Sequence, residues 1–292
     1  METTKTGTLY LCATPIGNLD DVSVRMLNTL KEVDLIACED TRHSLKLLNH
    51  FDISKPLTSY FEHNKKEKGE YLIAELKSGK NIALVTDAGT PAISDPGEDL
   101  VKMCIENSVK VVPIPGACAL INALIISGQN TQRFSFEGFL SMNKKSRDEH
   151  LKEIANDTRT LIFHEAPHKL TRTLNDLYKY LGDRSISLVR ELTKIHEDCV
   201  KTTISHAIEY YSTNYPKGEY VIVVAGKDIN KIEEESRSAF ENISLTDHVN
   251  MLIEQGIDKK EAYKQVAKAR GLSKRDVYNE YLKTNGDETN DQ

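Results

Sequence analysis

At 292 residues with a formal net charge of −6, the chain is long enough for one large or two medium domains, and it is not a protein coated all over in positive charge, although local basic faces stay open to it. Hydrophobic residues at 39% supply a core, and charged residues at 28% suit a soluble protein. The cysteines Cys12, Cys38, Cys104, Cys118 and Cys199 are odd in number, show no CxxC spacing and sit largely in apolar runs, so they read as reduced core thiols of a cytoplasmic protein. METTKTGTLYLCATP lacks the charged-then-apolar pattern of a signal peptide. No apolar run approaches the roughly 18–20 residues of a membrane helix.

In chain order, TLYLCAT (Thr8–Thr14) reads as a buried strand, and Val22–Lys31 as a helix with Val22, Met26, Leu27 and Leu30 on one face. DLIACED (Asp34–Asp40) is a second strand, followed by a helix through Leu45, Leu47 and Leu48. Gly69–Ser78 is helical, Asn81–Gly89 and Val109–Gly116 are strands, and ACALINALIISG is a helix of small and apolar residues. This alternation predicts an α/β fold with a largely parallel sheet. Gln129–Arg133 reads as a connection, which puts an N-terminal domain at 1–128. FSFEGFL, TLIFHEA, SISLVREL and EYVIVVAG then read as strands, with helices near Lys145–Ala155 and Lys169–Leu181, in a second α/β domain over 129–228. Asp228–Arg237 reads as a charged linker, 244–283 as a small basic extension of two or three helices, and Asn285–Gln292 as a polar, disordered tail. Gly271-Leu272-Ser273 has the look of a turn with a Ser helix cap.

The densest motif is TDAGTPAISDPG (Thr86–Gly97), rich in Gly, Pro, Asp and Ser after a buried strand. It is either an ordinary strand–helix turn or a ligand loop at the carboxyl edge of a parallel sheet, where open α/β sheets bind ligands. Pro113–Ala119 is a second strand end turning into a helix of small residues, built either for close packing or for a ligand at its first turn. Thr14–Leu19 (TPIGNL) follows the first strand and lacks GxGxxG, and no P-loop motif occurs. No HExxH or CxxC spacing is present, so no metal is expected.

TPIGNL, EDTR (Glu39–Arg42), EHN (Glu62–Asn64), DAGTPAISDPG (Asp87–Gly97), Pro115–Gly116, EGFL (Glu137–Leu140), EAPHK (Glu165–Lys169) and RELTK (Arg190–Lys194) occur in this order. As a set, spanning Leu9–Gly226, they resemble the ribosomal RNA small subunit methyltransferase I family, a branch of the tetrapyrrole methylases. The resemblance implies a two-domain α/β tetrapyrrole-methylase fold with a small C-terminal helical extension. It also implies S-adenosyl-L-methionine as cofactor in the cleft, a homodimer, and no membrane. On that basis Pro15, Asp87, Gly89, Thr90, Pro91, Ile93 and Ser94 border the cofactor, with Ala117 and Cys118 approaching it and Phe163, Ala166 and Leu192 closing over it. Cys118 stands where Ser is frequent, and Lys169 where Arg is usual.

The implied reaction is 2′-O-methylation of a cytidine in the decoding centre of 16S ribosomal RNA. Rival readings are a tetrapyrrole or diphthine methylase of the same fold, and a catalytically silent RNA-binding protein. Polar groups at strand ends are the candidates for the chemistry. Arg42 either clamps a phosphate or pairs with Glu39 or Asp40 to fix the loop. His63, Glu165 and Arg190 lie at comparable edges, so Glu39, Arg42, His63, Glu165 and Arg190 are expected around the reacting ribose. Two basic clusters, Lys144–Arg147 and a C-terminal set of Lys259, Lys260, Lys264, Lys268, Arg270, Lys274 and Arg275, are either solvated faces or RNA contacts, and the second is favoured for 16S rRNA.

Overall fold

The structure, a computed structural model, describes residues 6–95, 97–238, 240 and 243–286. Strand β1 (Thr8–Cys12) leads through a 3-10 turn at Leu19–Asp21 into helix α1 (Val24–Glu32). There follow β2 (Leu35–Cys38), α2 (Thr41–His50), β3 (Leu57–Ser59), α3 (Lys65–Lys77), β4 (Ile82–Val85), α4 (Gly97–Glu106), β5 (Lys110–Ile114) and α5 (Ala119–Ser127). The strands form a five-stranded sheet in the order β3-β2-β4-β1-β5, with every neighbouring pair parallel. All residues of β2 and β4 are buried, as strands covered on both faces require. Helix α1 starts two residues later than Val22 because the Ser23 hydroxyl accepts from the Met26 amide and caps it. Edge strand β3 has three half-buried residues and leaves no periodic trace in the sequence.

The second sheet differs. Its elements are β6 (Phe134–Gly138), α6 (Lys144–Glu153), β7 (Thr160–Glu165), α7 (Pro167–Leu181), β8 (Ser185–Arg190), β9 (Asp198–Thr203), α8 (Ile204–Thr213) and β10 (Tyr220–Val224). The order is β6-β7-β10-β8-β9, and only β6 and β7 pair in parallel. The stretch between β8 and β9 is too short for a crossover, so it enforces antiparallel pairing. Helix α5 packs Leu120, Ala123 and Leu124 against Ile162, Val189, Val221 and Val223 of this sheet. One compact unit therefore holds both sheets: the described residues up to Leu151 together with Thr160–Ala225.

The other unit comprises Lys152–Arg159 and the described residues from Gly226 onward. It carries α9 (Ile229–Ser238), α10 (Leu245–Glu254), α11 (Lys259–Arg270) and α12 (Lys274–Gly286). The reading of Asp228–Arg237 as a linker is thus corrected to a helix. Its charges hide a helical segment because Ile229 and Ile232 are the only apolar residues in it. Gly271 takes the left-handed conformation that ends α11, and the Ser273 hydroxyl accepts from the Asp276 amide to start the next helix. Of the expected tail, Asn285 and Gly286 lie within α12, and 287–292 fall outside the described residues. Among the described residues no helix is long and apolar enough to cross a membrane. The five cysteines are free, with Cys12, Cys38 and Cys104 buried.

Candidate active site

Three loops at the carboxyl edge of the first sheet are tied together. Thr14 and Gly89 exchange backbone hydrogen bonds of 2.8 and 3.2 Å, and the Thr14 hydroxyl donates to the Thr86 carbonyl at 3.1 Å. The Thr90 hydroxyl donates to the Ala117 carbonyl at 2.9 Å, which joins the loop after β4 to the loop after β5. Gly89 has φ +89°, and a Cβ there would stand 3.3 Å from the Ile16 side chain, so the close approach needs glycine. Ala92 (φ 67°) and Ser94 (φ 64°) also adopt the left-handed region. Across from them, in the loop after β8, so do Glu191 (φ 50°) and Thr193 (φ 65°). Such conformations cost of order 1–3 kcal/mol each and cluster where a site over-determines its backbone. Pro96 of the same motif lies outside the described residues.

The loop after β1 reaches this second strained loop. The Asn18 amide donates to the Thr193 hydroxyl at 3.1 Å, and a Cβ on Gly17 would meet the Lys194 side chain at 2.5 Å. Between the sheets lies a cavity of ≈340 Å³, within the range of about 300–1,000 Å³ typical of ligand pockets. Its apolar walls include Ile16, Leu120, Val189, Leu192 and Val221.

The cavity brings together Gly89, Thr90, Ile93, Ser94, Cys118, Ala166, Leu192 and Glu165 of the expected site residues. It does not bring in Pro15, Asp87, Pro91, Ala117 or Phe163. Asp87 accepts the Asp40 amide at 3.2 Å, Pro91 borders a smaller cavity beside Glu39, and Ala117 contributes the carbonyl that receives Thr90. Phe163 is 0% exposed, because successive residues of a strand point to opposite faces and its neighbour His164 takes the cavity side.

The five candidates for the chemistry separate. Glu165 borders the cavity but is 3% exposed, and its carboxylate already accepts the Ala166 amide at 2.8 Å and the Thr173 hydroxyl. It anchors the start of α7. Arg42 is 88% exposed and pairs with Asp40 at 2.8 Å, which holds the Asp40 carboxyl down at about 2. His63 is exposed, with its ring edge-on to Phe61, while Glu62 beside it borders a neighbouring acidic cavity. Arg190 lines a separate cavity on the other face of the second sheet. Glu39 lines the acidic cavity, which shares Ser94 and Asp95 with the main one. Burial, then Asp87 and Asp40, push its carboxyl up.

Two residues absent from the expectation stand out. Asp95 borders the main cavity, and burial together with Glu39 and Asp87 pushes its carboxyl up to about 6. His164 also lines the cavity. Its Nε2 is buried without a hydrogen-bond partner between the edges of Phe136 and Phe139, and burial pushes its pKa down, favouring the neutral ring. At the cavity's far side Lys194 Nζ binds Glu191 at 3.0 Å and Glu219 at 2.9 Å. Among the described residues no group of three or more His, Cys, Asp or Glu is placed to hold a metal ion.

A parallel sheet whose loops meet a mixed second sheet around such a cavity defines a class. Residues 8–208 match the family model for Tetrapyrrole (Corrin/Porphyrin) Methylases. Diphthine synthase resembles the fold at a TM-score of 0.61 and 16% identity, covering 78% of this chain and 93% of that one. The uroporphyrin-III-C-methyltransferase of Thermus thermophilus gives a TM-score of 0.54 at 14% identity, with coverage of 75% and 94%. S-adenosylmethionine is the methyl donor of this class. Among sequences, the chain is 50% identical to a Halalkalibacterium halodurans protein named ribosomal RNA small subunit methyltransferase I, over 94% of each. It is 48% identical to the protein of that name from Synechocystis sp., over 96% of this chain and 99% of the relative. The chain belongs to the ribosomal RNA small subunit methyltransferase I family.

Proposed function

We propose that the chain transfers a methyl group from S-adenosylmethionine to the 2′-hydroxyl of a cytidine in the decoding centre of 16S ribosomal RNA. The observation that carries this reading is the ≈340 Å³ cavity, with its glycine cradle at Gly89 and its carboxyl at Asp95, in a chain alike over nearly its whole length to relatives named for small-subunit rRNA methylation. The residues present fit the cofactor. A side chain at Gly89 would crowd the cradle, the Ile16, Leu192 and Val221 walls suit an apolar ring face, and Asp95 suits a cationic group. Gly89, Thr90, Ile93, Ser94, Cys118, Ala166 and Leu192 would hold it. Bound there, S-adenosylmethionine supplies an activated methyl group whose leaving group departs neutral.

The chain's own part is position and proton transfer. Holding the hydroxyl oxygen in line accounts for roughly 7–11 kcal/mol of such barriers. Asp95, when ionised, favours a cation in the cavity. Glu39, whose carboxyl is pushed up, sits in the adjoining acidic cavity and takes the hydroxyl proton. The C-terminal helices of 244–283 contact the RNA through exposed Lys260, Lys268 and Lys274, whereas Arg270 is committed to His248 and the Ile243 carbonyl. A homodimer acting on small ribosomal subunits in the cytoplasm completes the reading, supported by the exposed face of Ile121 and Ile125 on α5. The test is mapping of 2′-O-methylation on 16S rRNA from cells with and without the protein. Loss of one cytidine mark supports the reading, and an unchanged map overturns it.

A further inference from the structure

Strand β8 feeds two cavities. Val189 borders the one between the sheets, while Leu188 and Arg190 point to the opposite face. There a cavity of ≈770 Å³ lies among β8, β9, β10 and α8, lined by Tyr210, Tyr211, Tyr215 and Tyr220 together with Arg190 and Lys217. Tyr211 is fixed edge-on to both Tyr210 and Tyr220, with its hydroxyl 3.2 Å from that of Tyr220. Tyr210 and Tyr215 remain 58% and 75% exposed. The Arg190 Nε is buried without a hydrogen-bond partner, and its Nη2 forms a loose ion pair at 3.7 Å with the carboxylate of Asp198, which also lines the cavity.

A buried N–H without an acceptor carries a desolvation penalty, and a guanidinium fork matches a phosphate. Exposed tyrosine faces beside it offer stacking surfaces for a flat ring. Cationic groups interleaved with aromatic side chains are the pattern by which proteins hold unpaired nucleotides. A purely anionic ligand would leave the tyrosines unused, and a purely apolar one would leave Arg190 and Lys217 unused.

We propose that this cavity binds one unpaired nucleotide of an RNA strand, its base stacked on Tyr210 or Tyr215 and its phosphate held by Arg190 and Lys217. The site deepens the RNA reading given above and rests on it. Because it lies on the opposite face of the sheet from the methyl-donor cavity, it anchors a nucleotide other than the one methylated.

The test uses the full chain and a short fluorescein-labelled oligouridylate, read by fluorescence anisotropy, with S-adenosylmethionine calorimetry on the same samples. Tyr210→Ala, Tyr215→Ala and Arg190→Gln are compared with Tyr210→Phe, which keeps the ring. Arg190→Gln and at least one alanine variant should lose roughly five- to a hundred-fold in oligonucleotide affinity. Tyr210→Phe should stay near wild type, and all variants should bind the cofactor unchanged. Retained affinity in both Tyr210→Ala and Arg190→Gln overturns the site, as does a wild-type protein that does not bind the probe. Polyphosphate competing as well as the oligonucleotide also overturns it, because charge alone would then suffice. If wild type methylates small subunits and the variants bind RNA normally, the site is wrong and the function stands. If the variants lose RNA binding and wild type marks no rRNA, the site stands and the function falls.

Discussion

The two faces of the second sheet are built to different rules. Toward the first sheet, Val189, Val221 and Leu192 join the α5 core and then open into a mostly apolar cavity edged by strained loops. Away from it, Leu188 and Arg190 join Tyr210, Tyr211 and Tyr215, while Tyr220 borders both cavities. One face suits a compact cofactor held by backbone and small residues. The other suits an extended polymer held by rings and cations. A shift of one residue along a strand changes which cavity a side chain enters, since neighbouring side chains face opposite ways.

The largest effect is expected at Glu39, in the acidic cavity beside the cofactor loops. Glu39→Gln should keep cofactor affinity and lower single-turnover methylation by roughly 10²–10⁴-fold, the usual loss for a general base. An unchanged rate would move the base elsewhere, with His164 the next candidate through its unpartnered Nε2. Next comes the cofactor wall. Asp95→Ala should weaken S-adenosylmethionine roughly ten-fold or more by calorimetry, as loss of an interaction with a charged group does. Asp87→Ala should do less, because Asp87 is turned toward the Asp40 amide. That reverses the order of importance that the Asp87 motif suggests on its own.

A pH series follows from the same carboxyl. With Asp95 pushed up to about 6, cofactor affinity should fall as pH drops through about 6 and the group becomes neutral. For folding the sign is opposite. The folded state binds the proton more tightly than the unfolded chain, so the contribution of this group to stability is lost as pH rises from the ordinary aspartate range through about 6. Asp95→Asn should therefore raise the thermal midpoint of the cofactor-free protein at pH 7 while weakening cofactor binding. A lower midpoint in that variant would contradict the burial argument. The smallest expected effect is at the C-terminal helices. Replacing Lys260, Lys268 or Lys274 by Ala should make the salt dependence of RNA binding shallower, by about one unit of slope for each phosphate that is no longer neutralised.

Much of the fold is legible in the sequence because its central strands are continuous buried runs, as in Ile82–Val85 and Tyr220–Val224. The edge strand Asp198–Thr203 is half exposed and presents no apolar run, and it hides α8 after it as well. At the site, glycines and prolines mark the loops, and most of the expected loop residues line the cavity, but on the strands the cavity-facing side chains sit one residue from the expected ones. The motifs point to Phe163 and Arg190, whereas His164 and Val189 face the cavity. A lone histidine directly after the apolar run Leu161–Phe163 is the available signal, since a polar group there needs a reason. Asp95 leaves no such mark. Its carboxyl is pushed up first by burial and then by Glu39 from the end of β2, a setting that only the folded chain creates.

The most direct test sets Asp95→Ala against Arg190→Gln, with S-adenosylmethionine and oligouridylate affinities and a thermal midpoint measured on both. The two-faced account predicts that Asp95→Ala loses cofactor affinity and keeps the oligonucleotide, while Arg190→Gln does the reverse. A correctly folded variant that loses both ligands together, or an exchange of the two outcomes, would contradict it.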